Sequence, residues 1–99
     1  MSFESRMKSG DLEAFFRAVL ALESEEECYR FFEDIATVAE IKSLAQRFQV
    51  AEMLAANETY VRIALATGAS TATISRVKRA LNYGANGYKL VINRLKEKE

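Results

Sequence analysis

The amino-acid sequence predicts an all-α fold of six short helices that includes a helix-turn-helix. Three observations point there. Apolar residues recur at i, i+3, i+4 and i+7 in successive stretches, polar capping residues precede most of those stretches, and the 99 residues contain no proline. The first is the signature of amphipathic helices, the second marks where they start, and the third leaves each free to run uninterrupted. No pair of alternating runs suggests a strand hairpin. Nor does any repeat, low-complexity segment or long linker divide the chain, so a single domain is expected over residues 1–99.

The first helix follows Asp11 as its expected cap and carries Leu12, Phe15, Phe16, Val19 and Leu20 on one stripe. The second opens on an S-x-x-E capping box, Ser24 to Glu27, with Cys28, Phe31, Phe32 and Ile35 on a shared face. A second box, Thr37 to Glu40, starts a longer helix whose Ile41, Leu44, Ala45, Phe48, Ala51 and Ala55 are expected to face inward. It ends near the Ala56-Asn57-Glu58 stretch. A short helix from about Tyr60 to Thr67 comes next, then one starting at Thr71, and a last one over about 85–97 with Tyr88, Val91, Ile92 and Leu95 as its stripe.

Composition narrows the chemistry. There is no histidine and a single cysteine, Cys28, so thiolate zinc sites, disulfide frameworks and imidazole-based mechanisms lack their residues. No general base stands near Ser70, Ser75 or Cys28 in sequence, and no glycine loop is built to cradle a phosphate, so an enzyme is not expected and neither a metal nor a cofactor is implied. The longest apolar run, Ala18 to Leu22, is too short for a membrane span or a signal-peptide core, and a reduced cytoplasmic setting is expected.

Net charge is zero, but its distribution is lopsided. Residues 1–58 hold six Lys/Arg against twelve Asp/Glu, whereas residues 59–99 hold eight against two. Between Glu58 and Glu97 stand seven basic residues, Arg62, Arg76, Lys78, Arg79, Lys89, Arg94 and Lys96, with no acid among them. Such a run suits a polyanionic partner, although a solvated surface balanced by the acidic half would look the same by charge alone.

The segment from Tyr60 to Leu81 decides between them. A helix-turn-helix needs a small residue where its helices cross, a glycine able to take φ > 0 in the turn, and apolar anchors beneath the second helix. Ala64, Gly68, Ile74 and Val77 stand at offsets 0, 4, 10 and 13, with Ile63 and Leu81 extending the seam. Ser70 and Thr59 are placed to cap the two helices. With the anchors inward, Thr71, Thr73, Ser75, Arg76, Lys78 and Arg79 are left for the other face. Short hydroxyls at the N-terminal turn allow close approach to base edges and phosphates, and the cations that follow suit the backbone. The expected DNA-binding residues are Thr59, Tyr60, Arg62, Ser70, Thr71, Ala72, Thr73, Ser75, Arg76, Lys78 and Arg79. The aromatic load of the first helices, which would be marginal alone, predicts a homodimer interface from Leu12, Phe15, Phe16, Val19, Phe31, Phe32, Ile35 and Phe48.

The stretches "TVAEIKSLAQRFQVAEMLA" and "ATGASTATISRVKRALNYG", covering about residues 37–84, resemble the Trp repressor superfamily in its YerC/YecD-type branch. The resemblance implies a Trp-repressor-like intertwined homodimer, with residues 10–58 as dimerisation helices, 59–83 as the helix-turn-helix and 85–97 as the C-terminal helix. It implies a transcriptional regulator, with repression the expected direction, whose paired reading helices enter successive major grooves of double-stranded DNA about one helical turn apart (~34 to 36 Å). It also maps ligand positions onto Thr37, Arg47, Thr73 and Arg76. Val77 stands where that repressor has a glycine and Ala80 where it has a serine; both changes disfavour tryptophan, so an effector, if one binds, is expected to have other chemistry. The alternative is a non-catalytic interaction module whose basic C-terminal half binds RNA or an acidic protein.

Overall fold

The computed structural model describes residues 3–99 and contains six α-helices, with no strand among the described residues: α1 (Gly10–Leu20), α2 (Glu25–Ile35), α3 (Val38–Ala55), α4 (Tyr60–Thr67), α5 (Thr71–Tyr83) and α6 (Gly87–Glu97). The helix count and order match the sequence expectation. Two compact units emerge, one running to Thr37 and one from Val38 to Glu99.

In the first unit the N-cap of α1 is Ser9, not Asp11. Ser9 has extended backbone angles and its Oγ accepts from the Leu12 N–H at 3.5 Å. Asp11 lies inside the first turn, where its charge complements the positive end of the helix dipole. The Ser9 hydroxyl donates to Asp11 Oδ1 at 2.5 Å and, with the Leu12 N–H, holds that exposed carboxyl below its ordinary value. The small stabilisation this brings is present above the usual aspartate range and lost on acidification. The Ser24 cap forms as expected, accepting from Glu27 N–H at 3.1 Å, while Glu27 Oε1 reaches one residue further back and accepts from Glu23 N–H at 2.8 Å.

The rings of Phe15 and Phe31 stack at 6.1 Å between centroids, flanked by Phe16 at 5.6 Å from Phe15 and Phe32 at 5.4 Å from Phe31. Even so, neither α1 nor α2 contains a buried residue. Phe16 is 49% and Ile35 52% exposed.

The second unit has a core of its own. Val50, Ala51, Ile63, Ala69, Ile74, Val77 and Ile92 are buried, with Phe48, Met53, Leu54, Tyr60, Ala64 and Tyr88 packed around them. Fully burying an aliphatic side chain contributes about 1.5–3 kcal/mol, so Val50, Ile63 and Ile74 anchor α3, α4 and α5 to one another.

The inward face of α3 differs from the expected stripe. Nine residues at 3.6 per turn put Val50 half a turn round from Ile41, and Val50 and Leu54 join the expected Ala51 and Phe48 in the core. Leu44, Ala45 and Ala55 remain exposed. Ala51 and Phe48 of the expected stripe do reach the core, and the buried face is turned from that stripe toward Val50 and Leu54 because the helix is apolar on more than one side.

Two helix ends of this unit show what closes them, one through a left-handed residue and one through a crowded glycine with an extended backbone. After α3, Asn57 takes φ 63; its N–H bonds to the Leu54 carbonyl and that of Glu58 to the Met53 carbonyl, each at 3.0 Å, the paired bonds of a Schellman motif. After α5, Gly84 bonds its N–H to the Ala80 carbonyl at 2.8 Å, and a Cβ at Gly84 would run into that same carbonyl oxygen. Because the obstacle is backbone, Gly84→Ala is expected to cost about 1–3 kcal/mol and to lower Tm by several degrees in a thermal melt; an unchanged melt would show that the turn yields freely.

Candidate nucleic-acid interface

The predicted helix-turn-helix forms as read. Thr59 Oγ1 accepts from Arg62 N–H at 3.2 Å and caps α4; Ser70 Oγ accepts from Thr73 N–H at 3.1 Å and caps α5. Gly68, at φ 74, closes α4 through its N–H to the Ala64 carbonyl at 2.9 Å. A side chain there would be strained by the left-handed backbone even though space exists. Ile63, Ile74 and Val77 are buried, and Ala64 and Leu81 are half-buried, along the seam that holds the two helices.

With these anchors inward, Thr71, Ala72, Ser75, Arg76, Lys78 and Arg79 are exposed on α5. Among the described residues no carboxylate lies within ion-pair reach of Arg76, Lys78 or Arg79. The first turn of α5 lacks acids too, so the free N–H groups and the positive dipole end are left open to an anion.

Several of the predicted residues also hold internal engagements, Thr59 through its cap on α4. Ser70 and Thr73 use their hydroxyls on each other, Ser70 Oγ donating to Thr73 Oγ1 at 3.1 Å. Arg62 pairs with Glu58 one turn earlier at 3.2 Å, a solvated pair that a phosphate can replace at small cost. Tyr60 is half-buried against the core, and Lys78 Nζ sits 5.6 Å from the centre of its ring. Tyr60 therefore carries Lys78, steadying a cation that projects from α5.

Of the mapped ligand positions, Thr37 closes the first unit, while Arg47 is exposed on α3, Thr73 is half-buried and Arg76 is exposed on α5. Val77 is 3% exposed, so its side chain fills the core where a glycine would leave room, and Ala80 offers a methyl and no hydrogen-bonding group. Two residues that sequence reasoning missed shape this region, Gln46 and Gly84. Neither left a pattern in the sequence: Gln46 acts on a residue 21 positions away, and the crowding at Gly84 comes from the backbone of the preceding turn.

Fold and site together define a helical protein with a helix-turn-helix whose second helix is basic, its cations without a carboxylate partner among the described residues. Residues 10–96 match the model of the Trp repressor protein family, and the chain belongs to that family. It is 52% identical over 94 residues to the YerC protein of Bacillus subtilis (strain 168), covering 95% of this chain and 90% of that protein. It is also similar to the crystal structure of a TrpR-like protein from Eubacterium eligens ATCC 27750, with a TM-score of 0.89 and 54% identity over 92% of this chain and 94% of that one. No helix among the described residues is long and apolar enough to cross a membrane.

Proposed function

We propose that this protein is a sequence-specific, double-stranded-DNA-binding transcriptional regulator of the cytoplasm, not an enzyme, that acts as a homodimer and represses by occupying a palindromic site. One observation carries the reading. On α5 a hydroxyl-rich, capped N-terminal turn leads into Arg76, Lys78 and Arg79, all exposed and without a carboxylate partner among the described residues. Small side chains allow the helix N-terminus to approach base edges, and the cations neutralise phosphates on either side. Membership of the Trp repressor family supports the same reading. Random-sequence selection followed by salt titration tests it: an enriched palindrome whose affinity falls steeply with ionic strength is expected. Enrichment of RNA, or tight binding of an acidic protein with no preferred duplex, would favour an interaction module instead.

The reading includes independence from tryptophan. The Val77 side chain is packed among core residues and Ala80 has no acceptor for a buried ammonium, whose loss costs about 1–3 kcal/mol. Titration calorimetry is expected to find no saturable uptake of tryptophan, and operator affinity should be the same with and without it. Any effector that uses Thr37, Arg47, Thr73 and Arg76 then has different chemistry, with the two arginines suited to an anionic group.

A further inference from the structure

Gln46 is half-buried on α3, and its Nε2 donates to the carbonyl of Thr67 at 3.1 Å. That carbonyl belongs to the last turn of α4, where helix geometry leaves carbonyls without intrahelical partners. Three neighbouring polar groups of the turn bond locally. Thr67 Oγ1 donates to the Ile63 carbonyl at 2.7 Å and accepts from Ala69 N–H at 3.1 Å, while Gly68 N–H reaches Ala64. The Gln46 amide thus ties the turn of the helix-turn-helix to a helix far away in sequence, beside the one residue of the motif with a left-handed backbone. α5 leaves the turn from there, so any freedom at Gly68 becomes freedom in the direction of the reading helix.

We propose that Gln46 is a positioning residue for DNA recognition: by holding the Thr67 carbonyl it sets the angle at which α5 is presented, without touching nucleic acid. The inference rests on the DNA-binding reading above. In the full-length protein, Gln46→Ala is expected to weaken binding to the selected duplex about tenfold. The dependence of affinity on salt stays unchanged, because no phosphate contact is removed, and the Ala69 amide exchanges faster.

Gln46→Glu supplies a second readout. As a carboxylate it faces the Thr67 carbonyl with an acceptor and no donor, whereas the protonated acid can donate as the amide does. Its affinity relative to wild type should therefore recover as pH falls toward the ordinary glutamate range, about 4.3. The wild-type chain has no histidine to add a titration of its own near neutrality.

Wild-type affinity together with wild-type Ala69 exchange in Gln46→Ala would overturn the proposal, and so would a flattened salt dependence, which would make Gln46 a direct DNA contact. If the wild-type protein binds no duplex at all, it is the functional reading that fails. Amide exchange at Ala69 then still decides whether Gln46 restrains the turn.

Discussion

Arg76→Ala is expected to weaken binding to the selected operator about a hundredfold, and the triple change Arg76→Ala, Lys78→Ala, Arg79→Ala to leave no sequence-specific complex at physiological salt. The expectation follows from exposure and from the absence of competing partners. A guanidinium that has no carboxylate to leave gives its full interaction to DNA, about 1–3 kcal/mol per contact, and a homodimer loses two contacts for each substitution. Salt dependence provides the more discriminating measurement. Each phosphate contact contributes about 0.9 to the slope of log affinity against log salt, so losing one cation per protomer should flatten the slope by about 1.8. Arg30→Ala is the control: Arg30 is exposed on α2 and paired with Glu26 at 3.0 Å, and its loss should leave the slope nearly unchanged. A triple variant that binds a DNA pool as tightly as wild type would sink the reading.

Phe16→Asp combined with Ile35→Asp should convert the protein from a species of twice 11.1 kDa to one of 11.1 kDa in analytical ultracentrifugation. Both side chains are about half exposed within their own chain, so the substitutions leave the helices that carry them with little reason to unfold. In a dimer the same positions become desolvated. Aromatic and aliphatic anchors in such a setting are worth at least about 2 kcal/mol each, and symmetry doubles every change. The monomeric variant is also expected to bind a single half-site weakly and to lose its preference for paired half-sites one turn apart. If the double variant sediments as wild type does, the apolar surface of α1 and α2 has another purpose.

Much of the candidate interface was legible because its signals are local. The Ser70 and Thr59 caps act over three residues, and Gly68, Ile74 and Val77 lie within one turn-plus-helix unit, so their spacing alone predicts their roles. Local rules falter where two neighbours compete. Ser9 and Asp11 are both good caps, and the extended backbone of Ser9 decided between them. On α3 apolar residues occupy more than one side, and the direction from which α4–α6 approach brought Val50 and Leu54 into the core beside the expected Ala51 and Phe48. Tyr60 illustrates a third case: its place in the motif predicts its position at the start of α4, but not that its ring packs on the core with Lys78 beside it.

By itself the sequence determined the six helices, the position of the turn, the caps of the reading helix and the acid-free basic run that follows. These depend on hydrogen bonds, backbone preferences and charges spanning only a few residues. Only the tertiary structure decided which side of α3 is buried, that Val77 fills space in the core, that Lys78 rests on Tyr60 and that Gln46 holds the turn through Thr67. Each of those depends on atoms from separate helices meeting within a few ångströms, and helical periodicity specifies only which residues share a face, not what that face will meet.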